Sequence, residues 1–120
     1  VWNGRFGWVY EEEFGLAQAW EWSPDSKFIG FWQTDEREVP IFQMTDYSGL
    51  ADTYEKLPYP KVGNKNPLVK IGIIDIAQNK REWVKVDLGD GYIPRIYWTS
   101  VSGQLAVMHL NRKQNHMKLF

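Results

Sequence analysis

Hydrophobic and polar positions along this chain alternate far more often than they recur at helical spacing. In Leu16–Trp22, residues Leu16, Gln18, Trp20 and Trp22 share one face while Ala17, Ala19 and Glu21 share the other, the period of two that a strand requires. Ser23-Pro24-Asp25-Ser26 follows as a turn, its proline placed to fix φ at the second position. Phe28–Gln33 is a nearly continuous apolar run of strand length, which reads as a strand covered on both faces. Val69–Ile76 is β-branched and aliphatic, and Trp83–Leu88 alternates again before the turn signal Gly89-Asp90-Gly91. Ile93–Trp98, Gln104–Leu110 and Met117–Phe120 complete the set, with the polar stretch Asn111–Asn115 as the hairpin loop before the last. The pattern predicts an all-β chain.

The pattern also repeats. Trp20 to Ser26 followed by Ile29-Gly30-Phe31 has a counterpart in Ile96 to Ser102 followed by Leu105-Ala106-Val107, each position at one constant offset. Strand, Trp, Ser/Thr turn and apolar strand make the first hairpin of a four-stranded propeller blade, whose period is usually about 40–50 residues. The excess is accounted for by one insertion, residues 36–67, which holds Pro40, Pro58, Pro60 and Pro67. Proline removes ladder donors, so this stretch should leave the blade rather than form a central strand. The expected organisation is therefore a connection over residues 1–15, a blade over 16–88 interrupted by the insertion, and three strands of the next blade over 93–120. A two-copy repeat also fits a sandwich. Within the insertion, Val39–Met44 should run outward as a strand and Leu68–Ile76 should return. Tyr47, Tyr54 and Tyr59 suit water poorly, which points to an arm that meets a symmetry-related partner through residues 40–67. The alternative is a surface loop folded back on its own blade.

Composition narrows the chemistry. Fourteen Lys and Arg balance fifteen Asp and Glu, so no basic surface calls for nucleic acid. With no cysteine, disulfides, thiol catalysis and cysteine zinc sites are excluded, and two histidines make a multi-histidine metal site a poor reading. No metal or cofactor is expected. No apolar run approaches the roughly 20 residues of a membrane span. The first residue is Val1 rather than an initiator Met, which reads as a segment of something longer. The high aromatic content, 16% of the chain, suits pleated cores. A Trp-rich carbohydrate-binding domain would instead expose several coplanar Trp. A propeller predicts Trp20, Trp22, Trp32 and Trp98 mostly buried.

One constellation carries chemistry. Trp8-Val9-Tyr10-Glu11-Glu12-Glu13-Phe14 sets three consecutive carboxylates inside an aromatic frame. A solvated acidic turn is one reading. The other follows from repulsion among like charges beside apolar surface, which a cation would relieve. In a strand Glu12 and Glu13 would point to opposite faces. In a helical turn they diverge by about 100° and can converge on one ammonium through charge-assisted hydrogen bonds.

That string, followed by Trp22-Ser23-Pro24-Asp25, resembles the propeller domain of the dipeptidyl peptidase IV family within the prolyl oligopeptidase clan. Glu38-Val39-Pro40, Tyr59-Pro60-Lys61, Gly63, Asn66-Pro67 and Val69-Lys70 continue the resemblance in order, as do Tyr92-Ile93 and Trp98-Thr99. The resemblance implies an eight-bladed propeller joined to an α/β-hydrolase domain that carries a Ser-Asp-His triad. It implies release of N-terminal X-Pro or X-Ala dipeptides, with Glu12 and Glu13 binding the substrate's α-amino group. It also implies a homodimer formed partly by the arm, and a periplasmic or cell-surface setting. No Gly-x-Ser-x-Gly elbow occurs here, and neither His109 nor His116 sits in a triad context. With no candidate nucleophile–base pair of the acyl-transfer kind, the chain alone should be inactive. The family's substrate-binding Arg would also precede this segment. The spacer between Glu13 and Trp22 is more like that of a bacterial member. Non-catalytic relatives keep the propeller, which leaves an interaction scaffold as the alternative function.

Overall fold

The computed structural model describes residues 1–86 and 88–120. In chain order its elements are β1 (Trp2–Asn3), α1 (Trp8–Phe14), β2 (Trp20–Trp22), β3 (Phe28–Asp35), β4 (Ile41–Asp46), β5 (Thr53–Pro58), β6 (Leu68–Asp75), β7 (Lys80–Trp83), β8 (Tyr92–Trp98), β9 (Leu105–Leu110) and β10 (Met117–Leu119). Every strand pair among them is antiparallel.

The apolar run Phe28–Gln33 lies within β3, which becomes the centre of the first sheet. It pairs along its whole length with β6, from Phe28 opposite Asp75 to Asp35 opposite Leu68, and β6 in turn pairs with β7. The other edge of β3 is shared end to end. β2 occupies Ile29 to Phe31, while β1 occupies Gln33 and Thr34. Residues 1–15, read above as a connection, thus also contribute a short strand. Between β1 and β2 the chain leaves the sheet and carries α1.

Two strands of the first sheet differ most from the alternation. The strand expected over Leu16–Trp22 is only Trp20–Trp22, because Leu16 to Ala19 bring the chain back from α1. There Leu16 N–H is held by the Tyr10 carbonyl at 3.2 Å, and Ala19 is buried. The strand expected over Trp83–Leu88 lies earlier, at Lys80–Trp83, after a turn in which Asn79 adopts φ 50. Its charged side chains are exposed, as suits an edge strand, so no hydrophobic alternation marked it. Position 87 of that expected strand lies outside the described residues. In the second sheet, order β10-β9-β8, the register shifts between Tyr92 and Arg95. Pro94 sits at that bulge, where a missing N–H is tolerated.

The two sheets pack through the Gly30 face of the first. A Cβ at Gly30 would stand 3.0 Å from Ile96 Cδ1 and 3.4 Å from Leu105 Cδ2, so the small residue sets the approach. Trp32 is buried there, its indole N–H donating to the Ile93 carbonyl at 2.9 Å. The opposite face of the first sheet lies open. Trp20 and Trp22, expected to be buried, are 38% and 48% exposed. With Ile29, Phe31, Ile74 and Arg81 they line a depression of about 420 Å³. Among the described residues no layer lies against their side of the sheet, and that is the physical reason for the difference.

β4 and β5 form a separate two-stranded ribbon with Ile41 opposite Pro58 and Asp46 opposite Thr53. The expected outward strand Val39–Met44 begins two residues later, after Pro40. The prolines stand at strand ends or outside strands, where no ladder donor is lost. Tyr47 and Tyr54 are exposed, 74% and 58%. Tyr59 packs on its own chain, against Trp8 and Phe42.

Candidate functional site around helix α1

A seven-residue helix is too short to hold its shape alone, so contacts must fix α1 in place. Its start is Gly7, whose carbonyl accepts the N–H groups of Tyr10 and Glu11 at 3.1 and 3.2 Å. A Cβ at Gly7 would fall 1.8 Å from Glu36 Oε1. Glu36 is half-buried, taking the Trp2 indole N–H and lying near the Arg5 charge. Desolvation raises the Glu36 pKa, Arg5 and Trp2 act against that, and the nearby Glu11 charge adds to it. The helix ends at Gly15 in the left-handed conformation, φ 62 and ψ 35, with its N–H returned to the Tyr10 carbonyl, the αL cap that favours glycine.

The inner face of α1 is Val9, Tyr10 and Phe14. Phe6 stacks on Tyr10 at 5.2 Å, and Tyr10 meets Phe14 at 5.4 Å, the i, i+4 spacing that brings helical side chains together. The buried Tyr10 hydroxyl accepts the Ile93 N–H at 2.9 Å. Burial drives its pKa well above the usual tyrosine range, against the pull of that hydrogen bond. Arg95 donates to the Phe14 carbonyl at 3.1 Å, placing a guanidinium on the helix's C-terminal end, where a cation is favourable. α1 is therefore fastened to the second sheet from both its buried face and its last carbonyl.

What remains outward is Glu11, Glu12 and Glu13, all exposed. Glu11 lies in the first turn, near enough to Glu36 for its charge to be felt there. Glu12 and Glu13 follow toward the C-terminal end, where the helix dipole disfavours anions and the last turn carries no basic residue. Among the described residues no Lys or Arg forms an ion pair with any of the three. Two neighbouring carboxylates on a fixed helix can take the three N–H donors of a primary ammonium, which a neutral amide pair could not match in strength.

The histidines have other duties. His109 Nε2 lies 3.0 Å from the Leu88 carbonyl and its ring meets Phe120. His116 closes the polar hairpin, its N–H donating to Asn111 Oδ1. Among the described residues no group of three metal-binding side chains is gathered. The sequence points to the carboxylates but assigns no role at the helix to Arg95, Glu36 or Tyr92. Each reaches α1 across a separation that no local pattern records.

The family model for the dipeptidyl peptidase IV N-terminal region matches residues 1–120. The chain belongs to the dipeptidyl peptidase IV family. Dipeptidyl peptidase 4 of Bos taurus is 32% identical over 97% of this chain and 17% of its own length. A probable dipeptidyl-aminopeptidase B of Talaromyces marneffei is 36% identical over 96% of this chain and 15% of its own. The crystal structure of Porphyromonas gingivalis dipeptidyl peptidase 4 superposes with a TM-score of 0.90 at 40% identity, covering 98% of this chain and 17% of that one. The two sheets are thus a segment of a dipeptidyl peptidase IV propeller, unclosed within this chain, and the chain spans about a sixth of the length of its relatives.

Proposed function

We propose that this chain supplies substrate-amine recognition to a dipeptidyl peptidase IV-like serine peptidase that removes N-terminal X-Pro and X-Ala dipeptides. Glu12 and Glu13 bind the α-ammonium, and the Ser-Asp-His triad resides in a hydrolase domain of the parent chain. One observation carries the reading: α1 is too short to stand alone, yet it is fastened at Tyr10, Phe14 and Gly15 so that two unpaired carboxylates face outward. An internal peptide has no ammonium to offer them, so the helix measures from the substrate's free end. In the same reading residues 1–15 link to an earlier blade, 16–88 form one blade with the insertion 36–67, and 93–120 begin the next.

In the parent enzyme, Glu12→Gln or Glu13→Gln should lower kcat/KM strongly with the fold intact. Removing one partner of a charge-assisted pair costs about 2–5 kcal/mol, roughly 30-fold to several-thousand-fold. Glu11→Gln should cost far less, because Glu11 matches no ligand-contacting position of the family's motif. Equal losses at Glu11 and Glu13, or none at Glu12 and Glu13, contradict the assignment.

The arm supports a homodimer through residues 40–67. A lone two-stranded ribbon is marginal in water, and this one exposes Ile41, Met44, Tyr47, Leu50 and Tyr54. Sedimentation of the parent carrying Tyr47→Ser and Tyr54→Ser should show monomer at concentrations where the unmodified enzyme is dimeric. A dimer of undiminished stability removes the arm from the interface.

A further inference from the structure

Three contacts tie the root of the arm to the surroundings of α1. Tyr59 directly follows β5, and its N–H donates to the Pro40 carbonyl at 2.9 Å, closing the ribbon's base. Its ring lies 4.2 Å from that of Trp8, the first residue of α1, and 5.6 Å from Phe42. Seven residues on, Asn66 Nδ2 donates to the Tyr92 hydroxyl at 2.8 Å. The Tyr92 ring in turn packs on Phe14, the last residue of α1, at 5.4 Å, and on Tyr10 at 6.4 Å. Between these points Arg112, in the turn joining β9 to β10, donates to the Asn64 carbonyl. The stretch from Tyr59 to Asn66 therefore spans α1 from end to end. Trp8 stands one helical turn before Glu12, on the same side, and Phe14 follows Glu13 directly, so the two contacts bracket both carboxylates.

We propose that the arm root is a clamp on α1, with Tyr59 acting through Trp8, and Asn66 through Tyr92, as positioning residues for Glu12 and Glu13. The inference rests on the amine-binding reading of those two glutamates. A helix of seven residues has no stiffness of its own to oppose tilting, and its buried face fixes only one side. The root supplies the other side at the N-terminal end, and orders the ring beneath the C-terminal end. Neither Tyr59 nor Asn66 need touch substrate for this. The clamp also joins the arm, the element proposed to meet a second copy, to the element proposed to meet substrate.

The test uses the full-length parent with a Gly-Pro anilide as substrate, and reads kcat, KM, hydrogen exchange of residues 8–14 and sedimentation together. Tyr59→Ala should lower kcat/KM ten- to a hundredfold, the scale of a displacement of about 1 Å, mainly by raising KM. Exchange in α1 should quicken while the oligomeric state holds. Tyr59→Phe should restore both, because the contact is through the ring. Asn66→Ala and Tyr92→Phe each delete the same hydrogen bond, so the double variant should be no worse than the poorer single one. Unchanged α1 exchange and KM in Tyr59→Ala, beside a large loss in Glu13→Gln, overturns the clamp and leaves the amine reading intact. Faster α1 exchange with no loss in Glu12→Gln or Glu13→Gln overturns the amine reading instead. Loss of activity that tracks only dimer dissociation, with α1 exchange unchanged, also overturns the clamp.

Discussion

The β2–β3 hairpin and the β8–β9 hairpin carry one sequence pattern, yet their corresponding faces have different surroundings. Ile96, in β8, is 4% exposed, while Trp20, at the matching position of β2, is 38% exposed. Val107 of β9 is buried on the first sheet, whereas Phe31, its counterpart in β3, is covered within its own sheet, over Gly72 and against Trp83. The second hairpin rests on Gly30, while among the described residues no sheet lies against the corresponding face of the first. The contacts made by the second hairpin therefore describe what the first one lacks. Trp98 donates its indole N–H to the Glu21 carbonyl at 3.1 Å, and Ser102 donates to Asp25 Oδ2 at 2.5 Å. Their repeat partners are Trp22 and Ser26. An earlier blade in the parent, offering a small residue, a carbonyl and a turn acceptor at those points, would cover the open depression by the same geometry. Identical patterning does not give identical burial; the neighbour does.

The largest effect that can break this comparison lies in two tryptophans. Trp32→Ala should cost about 3–5 kcal/mol, the usual loss for a large buried aromatic that leaves a cavity, plus the bond to Ile93. Trp22→Ala should cost no more than about 1 kcal/mol in this chain, as surface changes do. Urea unfolding of the two variants measures both. In the full-length parent the Trp22→Ala cost should climb toward that of Trp32→Ala, because the ring is then covered. Equal costs in the short chain would show that the open face is not open in solution.

Much of this was legible from the alternation, because strands buried on one or both faces announce themselves by where their apolar residues fall. The runs Phe28–Gln33 and Val69–Ile76 foretell β3 and β6 to within two residues, because both strands lie in the middle of a sheet. Lys80–Trp83 was missed because an edge strand of Lys, Arg and Glu has no apolar period. Trp2–Asn3 is too short to carry one at all. The burial expected for Trp20 and Trp22 was a statement about a neighbour, and a chain's own pattern says which face is apolar but not whether anything lies on it. At the candidate site, the aromatic frame around Glu11, Glu12 and Glu13 was visible because Tyr10 and Phe14 are local. The supports of the helix were not: Arg95 reaches the Phe14 carbonyl and Asn66 reaches Tyr92 by tertiary folding alone.

The smallest effect sharpens the comparison at its seam, where the two repeat-related turns touch. The Asp25 carboxyl is lowered to about 2, first by the hydrogen bond from Ser102 across the sheets, then by that from Ser23, with the Lys27 N–H and charge adding less. Asp35 is also lowered to about 2, but by Arg37 two residues away. Both native values lie below the ordinary carboxylate value of about 3.9. Each group therefore contributes stability that is present above that value and is lost as pH falls toward 2. Both face solvent, so the contributions are small. They differ in what they hold: Asp35 braces its own turn, whereas Asp25 joins one sheet to the next. Thermal unfolding of this chain between pH 5 and about 2 should show a fall in Tm that Asp25→Asn flattens in part. Ser102→Ala should flatten most of the same part, since Ser102 is the leading cause of the shift. If Ser102→Ala leaves the acid dependence at the wild-type slope while Asp25→Asn removes it, the shift arises within the Ser23 turn. The contact between the repeats then adds nothing to the linkage.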